Sequence, residues 1–536
     1  MIGLGIIITI YALLAAVSVV LFGTVVTRDL QMLQQNSYRN ERYSRWITTS
    51  GDTLSPRRLL NAALFILMIS MFAQSIFVVG IVLAIMAIEC VVIMTRKSKK
   101  PLVFTKRVWR LFASVNLLTW LVAALAAIFY SSADSIGILH AFALVMMLAT
   151  ALSSAITLGV NWLLKPVEKA INNRYIDDAR RILAQMPGMT VVGITGSYGK
   201  TSTKHYLYRI LSEKYSVLMT PGSFNTPMGV VRTVREMLQP YNNLFIVEMG
   251  AKNIGDIREI CDIVHPQYGI VTAVGEQHLE SFKTIENVQR TKFELIDALP
   301  ADGFGVLNND FPYVANRPVK NVEVKRYTVK PADGSDYHAE DVTYSARGTS
   351  FKVVGEGKSI ELTTRLVGEC NISNLIAAVI MAMRLGVPDS KIQYAVSKIE
   401  QVEHRLNVKR TPAGITIIDD AFNSNPDGSR MALDVLAGMT GGRRIVITPG
   451  MIELGQKQEH YNELFGEHIA ETCDVAIIVG EYNREAILSG IKRKQQSAKL
   501  DVRTAATFAE AQKMMLGIAR AGDTVLYEND LPDTFK

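Results

Sequence analysis

Long apolar runs fill the first 165 residues of the chain, at about 2–27, 59–95, 109–130 and 137–164. Each run is long enough to cross the hydrocarbon core of a bilayer, which takes about 20 residues of α-helix. The second run is too long for one ordinary span, so we expect two helices that turn near residues 73–75. The pattern therefore predicts about five membrane-spanning helices, in preference to the alternative that these runs are buried helices of a soluble core.

Basic residues are concentrated in this apolar part, which contains 14 Lys and Arg against 5 Asp and Glu, whereas the rest of the chain contains 43 against 45. The segments 28–58 and 96–110 are rich in Lys and Arg, while the only charged residue in the sequence 131–136 is Asp134. The positive-inside rule places the two basic segments in the cytoplasm and 131–136 outside. We therefore expect a multi-pass protein of the bacterial inner membrane, with an external N-terminus and everything after Lys165 in the cytoplasm.

The composition indicates which kinds of partner to expect. The net charge of +7 comes from the apolar part, so we expect the lipid bilayer as a partner and no nucleic acid. A mean hydropathy of +0.18 is high for a soluble enzyme. The four cysteines form no C-x-x-C pair, which predicts neither a zinc site nor a disulfide framework and fits a reduced compartment.

A different pattern begins after residue 188, where short apolar runs are followed by polar, glycine-rich loops. The β-branched run 190–194 predicts a buried strand, and a helix should follow the next loop and reach about Tyr215. Loop glycines let backbone N–H groups surround phosphate oxygens, and the helix N-terminus adds a favourable dipole. In this pattern Lys200 would reach the β- and γ-phosphates of ATP, and the Thr201 hydroxyl would bind Mg²⁺. The nucleotide-binding residues predicted here are Gly196, Ser197, Tyr198, Gly199, Lys200, Thr201 and Ser202.

The phosphate loop has the short form T-G-x-x-G-K-T, because Ile194 stands where the longer motif G-x-x-x-x-G-K-[ST] has its first glycine. Together with the segments that follow, up to about residue 480, it resembles the Mur ligase family. The segment T-P-G-S-F-N-T-P-M-G-V at 220–230 is similar to the family's substrate loop. The resemblance implies an ATP-dependent enzyme that forms an amide bond between a carboxylate and an amine.

Three further residues stand out in the same part of the chain. A buried strand should end at Glu248, at the sheet edge where α/β proteins place their chemistry, and its carboxylate suits Mg²⁺. From the residues alone, His278 is more often structural and Lys292 is a solvated helix lysine. The resemblance implies otherwise, with Thr201, Glu248, His278 and Lys292 as metal ligands and Lys200, Lys292 and His278 as catalytic residues. It also implies that Lys292 is carbamylated, which would turn a cation into an anion able to bridge a second Mg²⁺.

The resemblance extends to the adenine end of the nucleotide. The segment 365–379 is similar to the family's adenine-binding segment, which implies that Asn371 and Asn374 contact the base. Cys370 stands where the family usually has a histidine. The adenine contact at this position is therefore expected to differ from that of the family.

A second group of nucleotide contacts is implied nearer the C-terminus. Arg405 matches a hinge residue of the family, and Asp420 begins a polar turn that would meet the nucleotide from the opposite side, with Asn423 and Asn425 beside it. From the residues alone, this stretch is an Asx-rich turn that caps a helix.

The predicted fold class is α/β, with a parallel, doubly wound sheet in each of two cytoplasmic domains behind a helical membrane domain. We expect a transmembrane domain at 1–165, a linker at 166–187, a P-loop Mur ligase central domain at 188–410 and a Rossmann-like C-terminal ligase domain at 411–536. Two features depart from the family. Apolar runs occupy the place of its UDP-sugar-binding domain, and its C-terminal K-G-S-R motif is absent.

These features favour a membrane-anchored ligase that uses ATP and Mg²⁺ to join an amino compound to a carboxylate through an acyl phosphate. The acceptor would be a small-molecule or lipid-linked precursor of the cell wall or envelope, such as one of peptidoglycan. A poly-γ-glutamate-type polyamide synthetase is the first alternative. An ATP-gated transporter or sensor is the second, and it is less favoured because there is no ABC-type signature and no array of charges within the apolar runs.

Overall fold

The structure is a computed structural model that describes residues 2–50, 52, 55–70, 75–95, 100–130, 135–345, 348–403, 405–421, 425–494 and 500–530. Asp134 and Asn423, to which the sequence assigns a topology and a nucleotide contact, lie outside these ranges, as does most of the expected turn at 73–75. The chain divides into two compact units, one up to Asn172 and one covering Asn173–Leu531.

Helices make up the regular structure of the first unit in the ranges described. Their bounds are α1 (Ile2–Gln35), α2 (Asn40–Thr49), α3 (Pro56–Ile69), α4 (Ile76–Thr95), α5 (Lys106–Tyr130), α6 (Ser135–Ala151) and α7 (Ser153–Ala184), the last of which continues into the second unit. The second apolar run thus forms two helices, α3 and α4, as predicted.

Fewer of the described helices could span a membrane than the five that the sequence predicts. Among the described residues, three helices are long and apolar enough to cross a bilayer, namely Gly3–Gln35, Ile76–Thr95 and Lys106–Phe129. Helices α6 and α7 meet at 81° and could together supply a fourth span. Helix α3 has 14 residues, about 21 Å at 1.5 Å per residue, which is shorter than a hydrocarbon core of about 30 Å. Five spans are therefore not confirmed.

Many large apolar side chains of the first unit are exposed. Leu21, Phe22 and Met86 are fully buried between the helices, whereas Phe77 and Phe129 are 81% and 86% exposed. Large apolar side chains that point outward from several helices are typical of a surface that contacts lipid.

The first unit also buries a cluster of charges that lies just outside the apolar runs. Arg58 at the start of α3 donates to Asp29 of α1 at 3.0 Å and to Asp52 at 2.7 Å, and Ser153 donates to Asp29 at 2.5 Å. Two more carboxylates are buried in this unit, namely Glu89, which accepts from the amide of Asn61, and Glu168, which accepts from Arg110. The partners in these contacts come from separate parts of the sequence, so only the packing of the helices brings them together.

The first part of the second unit is built on a sheet of nine strands within the described ranges. They are β1 (Thr190–Thr195), β2 (Val217–Met219), β3 (Leu244–Glu248), β4 (Tyr268–Val271), β5 (Phe304–Asn308), β6 (Glu323–Tyr327), β7 (Tyr337–Ser345), β8 (Gly348–Gly355) and β9 (Lys358–Thr364). Their order is β2-β3-β1-β4-β5-β6-β7-β8-β9. The strands from β2 to β7 are parallel to their neighbours, and β7, β8 and β9 are antiparallel.

Helices cover both faces of this sheet. They are α8 (Lys200–Leu211), α9 (Pro227–Met237), α10 (Asp256–Val264), α11 (Leu279–Phe282), α12 (Ile285–Asp297), α13 (Pro312–Ala315), α14 (Glu369–Arg384) and α15 (Asp389–Ser397). Successive residues of β1 point to opposite faces, so Val192 packs in one core with Leu207 of α8, and Val191 packs in another with Phe293 of α12. Helix α8 ends at Leu211 rather than near Tyr215.

The second part of this unit has a six-stranded sheet in the described ranges, ordered β10-β11-β15-β12-β13-β14. Its strands are β10 (Asn407–Arg410), β11 (Thr416–Asp420), β12 (Arg444–Thr448), β13 (Val475–Val479), β14 (Asp501–Ala505) and β15 (Thr524–Glu528). Its helices are α16 (Pro426–Ala437), α17 (Gln458–Thr472), α18 (Arg484–Lys494) and α19 (Phe508–Ile518). Strand β10 is antiparallel to β11, and the other pairs are parallel.

The α/β class and the helix-covered sheets are thus confirmed, but neither sheet is wholly parallel. Each has a parallel centre and antiparallel strands at one edge. The antiparallel strands are linked by short hairpins, which join neighbouring strands without a crossover helix.

Candidate active site

The loop between β1 and α8 is shaped by two glycines. Gly199 has φ of +75°, and a Cβ there would lie 2.2 Å from Oδ1 of Asn374. Gly196 has φ of +153°, and a Cβ there would lie 2.1 Å from Oγ1 of Thr272. Both positions combine a backbone conformation that favours glycine with no space for a side chain. The loop therefore needs glycine at both positions that the sequence motif identifies.

Residues from both parts of the second unit form hydrogen bonds with this loop. Ser197 Oγ donates to the carbonyl of Gly275 at 3.0 Å, and the Gly275 N–H donates back to Ser197 Oγ at 3.0 Å. The Thr272 hydroxyl donates to the carbonyl of Tyr198. From the other side, the Tyr198 hydroxyl donates to Oδ2 of Asp427, on α16, at 2.5 Å. Tyr198, predicted as a nucleotide contact, thus also connects the two sheets.

Lys200 lies over the loop that precedes it. Its Nζ donates to the carbonyls of Gly196 at 2.6 Å and Ser197 at 3.2 Å. Burial lowers the pKa of Lys200 to about 8, with Glu248 acting in the opposite direction. The amine is therefore placed where a phosphate group on the loop would both contact it and favour its charged form.

Glu248 stands at the carboxyl end of β3, as predicted, and is 1% exposed. Its Oε1 accepts from the Thr201 hydroxyl at 3.2 Å and from Asn225 Nδ2 at 3.0 Å, and its Oε2 is 3.0 Å from Nζ of Lys204. Burial would raise the pKa of Glu248, but Lys204 and Lys200 outweigh this and lower it. The carboxylate is therefore charged and held in a fixed position beside Thr201.

Lys204 is one of the residues of this cluster that the sequence missed. It lies one turn after Lys200 on α8 and is completely buried, and its Nζ also donates to the carbonyl of Gly222 at 2.8 Å. It thus joins the loop after β2 to Glu248. The i, i+4 spacing from Lys200 was the available signal, since it places both lysines on one face of a helix. Ser202, between them, is also buried.

His278 contacts the part of the second unit that contains the six-stranded sheet. Its φ is +54°, and its Nδ1 is 2.5 Å from Oε2 of Glu453, which follows β12. Burial lowers the pKa of His278, although Glu453 acts in the opposite direction. Among the described residues, no group of three or more His, Cys, Asp or Glu side chains lies close enough together to hold a metal ion.

Lys292 is buried, which contradicts its interpretation as a solvated helix lysine. It lies on α12 and is 2% exposed. Within the ranges that the structure describes, it forms no ion pair or side-chain hydrogen bond. Burial, reinforced by Lys200, holds the pKa of Lys292 well below its usual range. These surroundings therefore favour the neutral form of its amine.

Asn371 and Asn374 lie in the first turns of α14 and are both 8% exposed. Asn374 Oδ1 accepts from the Thr203 hydroxyl at 3.2 Å, and Asn371 Oδ1 accepts from the Tyr206 hydroxyl at 2.7 Å. Both amides are thus attached to α8, the helix that begins at the phosphate loop. Beside them, burial raises the pKa of Cys370 to about 12, so this residue is an uncharged thiol.

Arg405 and Asp420 lie where the second sheet begins. Asp420 Oδ1 accepts from the Leu406 N–H at 3.1 Å, and burial raises the pKa of Asp420 to about 6, with Arg405 opposing. Arg405 also influences the pKa of Lys200, so the two predicted nucleotide contacts are electrostatic neighbours. Asn425 caps α16 by accepting from the backbone N–H three residues later, as expected of an Asx turn.

Comparison with known proteins identifies the family to which this chain belongs. A family model for the Mur ligase middle domain matches residues 194–382, and one for the Mur ligase glutamate ligase domain matches 404–527, together more than half of the chain. The chain belongs to the Mur ligase family. Its two family domains correspond to the two sheets of the second unit.

Several Mur ligases resemble the chain individually. The UDP-N-acetylmuramoyl-tripeptide–D-alanyl-D-alanine ligase of Bacillus subtilis is 28% identical over 55% of this chain and 65% of its own length. The ligase of the same name from Escherichia coli is 29% identical over 52% of this chain and 61% of its own. The chain thus spans less than two thirds of these relatives. The crystal structure of MurF from Acinetobacter baumannii has a TM-score of 0.61 and 25% identity, covering 68% of this chain and 78% of its own. That of MurF from Thermotoga maritima in complex with ADP has a TM-score of 0.59 and 25% identity, covering 67% and 80%.

Within this Mur ligase, most of the predicted site residues meet at one edge of the nine-stranded sheet. The phosphate loop, Glu248 and Lys292 influence one another electrostatically, and Asn374 contacts the loop directly. The additional residues are Lys204, Asn225, Asp427 and Glu453. All but Lys204 lie in loops or caps far along the chain from their partners, where no spacing rule identifies a contact.

Proposed function

We propose that the chain is an ATP-dependent ligase that joins an amine to a carboxylate through an acyl phosphate. The observation that supports this most directly is the phosphate loop, in which two obligatory glycines shape the turn at the start of α8 and Lys200 folds back onto the loop carbonyls. The first backbone N–H groups of a helix have no partner within it and are available to a ligand. A helix N-terminus with such a loop favours bound phosphate. On phosphate binding, Lys200 would leave the two loop carbonyls and pair with the nucleotide.

Mg²⁺ fits the residues beside this loop. The Thr201 hydroxyl and the Glu248 carboxylate are 3.2 Å apart, and both offer the hard oxygens that Mg²⁺ prefers together with water and phosphate. When bound, the ion would neutralise charge that develops on the transferred phosphoryl group. Asn225 and Lys204 keep the carboxylate ionised and oriented for this role.

Lys292 fits the carbamylation that the family resemblance implies. Carbamate formation requires a neutral amine, which attacks CO₂ as an N–C bond forms and a proton is released. A buried lysine whose pKa is held well below its usual range favours that form of the amine. The product would carry a negative charge beside Lys200, where a second Mg²⁺ is proposed to bind.

The reaction we propose has two steps. A substrate carboxylate attacks the γ-phosphorus of ATP, which releases ADP and gives an acyl phosphate. The amine then attacks the acyl carbon, and the tetrahedral intermediate collapses to an amide with loss of phosphate. Lys200 would stabilise charge in the first step, and Arg405 and Asp420 would hold the nucleotide from the second sheet. Enclosing both substrates between the two sheets would contribute through proximity.

For the substrate, we propose a lipid-linked precursor of the bacterial cell envelope with a free carboxylate, as in peptidoglycan synthesis. The similar ligases named above act, by their names, on a muramoyl tripeptide and D-alanyl-D-alanine. In this chain the family matches begin at residue 194, and apolar helices precede them. An enzyme held at the cytoplasmic face of the inner membrane would find a lipid-linked acceptor in the same two-dimensional layer.

The experiment uses the full chain in nanodiscs with ATP, Mg²⁺, D-alanyl-D-alanine and either a lipid-linked or a UDP-linked muramoyl tripeptide. We expect ADP release that depends on the acceptor, a hydroxamate when hydroxylamine replaces the amine, and neither with Lys200→Ala. ATP hydrolysis that is independent of any carboxylate acceptor would refute the proposal. A product extended many times over would instead indicate a polyamide synthetase.

A further inference from the structure

The loop after β12, in the six-stranded part, brings the carboxylate of Glu453 to the site in the nine-stranded part. Glu453 accepts from Nζ of Lys252 at 3.1 and 3.3 Å, and its Oε2 is 2.5 Å from Nδ1 of His278. Its backbone carbonyl also accepts from the Glu280 N–H at 3.2 Å. Lys252 and His278 follow β3 and β4, the strands on either side of β1. Glu453 thus contacts both loops next to the phosphate loop.

The position of Glu453 is imposed by the loop that contains it. Glu453 has φ of +63°, a left-handed conformation that is unfavourable for a residue with a side chain. Two residues earlier, Met451 is fixed to α17, because its N–H donates to Asn462 Oδ1 at 2.9 Å and its carbonyl accepts from Asn462 Nδ2 at 3.1 Å. Non-glycine residues are held in this conformation only where surrounding contacts determine it, and such residues cluster at functional sites.

The contact determines which ring nitrogen of His278 remains for other partners. With the Glu453 carboxylate at Nδ1, that nitrogen carries the proton and donates it, so Nε2 keeps its lone pair. Carboxylates that accept from one nitrogen of a histidine commonly orient the ring and make the other nitrogen a better ligand. Lys252 places a cation 3.1 Å from the other oxygen of Glu453.

We propose that Glu453 is a positioning residue, which orients His278 toward the metal and links the closure of the two sheets to completion of the site. This inference rests on the proposed function. Because Glu453 belongs to the six-stranded part and His278 to the nine-stranded part, the contact exists only when the two parts are together. An enzyme built this way assembles its full metal site only after both parts enclose the substrates.

A contact that merely holds the two parts together would have different effects. The chain offers a matched comparison, because Lys457, four residues after Glu453, is 2.6 Å from Glu276 in the nine-stranded part. That ion pair joins the same two parts and does not involve His278. Lys457→Met should therefore report closure alone, whereas Glu453→Gln should report closure together with the orientation of His278.

The test measures metal binding by the full chain in nanodiscs, with Mn²⁺ as a paramagnetic probe and a non-hydrolysable ATP analogue at saturation. Glu453→Gln should weaken Mn²⁺ binding about 10–100-fold, the usual effect of losing a group that orients a metal ligand. Lys457→Met removes an ion pair whose lysine is half-exposed and which should contribute little to closure, so metal binding should stay close to that of the unchanged chain. In a His278→Ala background, Glu453→Gln should have little further effect, since coupled residues are non-additive.

Equal effects of Glu453→Gln and Lys457→Met would overturn the inference, and so would an undiminished effect of Glu453→Gln without His278. If Glu453→Gln unfolds, Glu453→Asp supplies the same comparison with the charge retained and the reach shortened. Failure of the unchanged chain to bind nucleotide with Mn²⁺ would refute the proposed function itself, and with it the role of Glu453. Normal binding by the unchanged chain with no change in Glu453→Gln would refute only the role of Glu453.

Discussion

The ion pair between Lys204 and Glu248 is the contact whose loss should affect both stability and the site. Lys204→Met would leave Glu248 buried without its nearest cation. The Nζ–Oε2 distance of 3.0 Å corresponds to an attraction of about 5.5 kcal/mol at an effective dielectric constant of about 20. Removing one partner of a buried pair costs about 3–5 kcal/mol, since the other charge is left uncompensated. Because Lys200 also favours the charged form of Glu248, we expect the lower end of this range.

Urea and thermal unfolding of the full chain in nanodiscs would measure this loss. Lys513→Met, on the exposed side of α19, is the matched control for removing a lysine. The double variant Lys204→Met/Glu248→Gln should regain most of the stability, because it removes both charges of the pair and keeps an oxygen that accepts from Asn225. Both Lys204→Met and the double variant should bind Mg²⁺ and nucleotide poorly, since neither holds an oriented carboxylate at position 248.

Two results would refute this reasoning. A Lys204→Met chain that unfolds at the same denaturant concentration as Lys513→Met would mean that the pair contributes nothing to stability. A loss that persists undiminished in the double variant would mean that the cost arises from packing around the lysine, not from an uncompensated charge.

Four further predictions concern separate parts of the chain. Lys200→Ala should abolish acceptor-dependent ADP release while membrane insertion, followed by fractionation, is unchanged; near-normal turnover would contradict the ATP site. Lys292→Ala should lose most activity and regain part of it with added bicarbonate or a short carboxylic acid, whereas Lys292→Arg should not; full activity of Lys292→Ala without added anions would contradict the carbamate. Accessibility tags at Arg42 and Lys100 should both report the cytoplasm, as the basic residues predict. If the two tags report opposite sides of the membrane, α4 crosses it without α3. Burial raises the pKa of Asp420 to about 6, so the folded state binds this proton more tightly than the unfolded state and loses stability as pH rises through that value. Asp420→Asn should thus gain thermal stability relative to the unchanged chain between about pH 4 and 6.5, and a pH-independent difference would contradict this.

The sequence by itself determined the features that depend on neighbouring residues. The strand, loop and helix from Thr190 to Leu211 are contiguous, so the apolar run, the glycines and the Lys-Thr pair identify them without reference to the rest of the chain. The same holds for Glu248 at the end of its strand and for the apolar helices, because strand and helix periodicity follow from local geometry. Family resemblance supplied His278 and Lys292, which no local pattern distinguishes.

Tertiary structure alone decided which polar groups meet and which charges are buried. A lysine on an amphipathic helix is usually solvated, and only the packing of α12 against the sheet shows that Lys292 is enclosed. Glu453 reaches His278 from 175 positions away, and Arg58 reaches Asp29 across the first unit. Hydrophobic patterning reports which face of an element is apolar, but not which polar side chain a distant loop will bring to it. The edges of the sheets were misjudged for the same reason, since strand periodicity does not distinguish parallel from antiparallel neighbours.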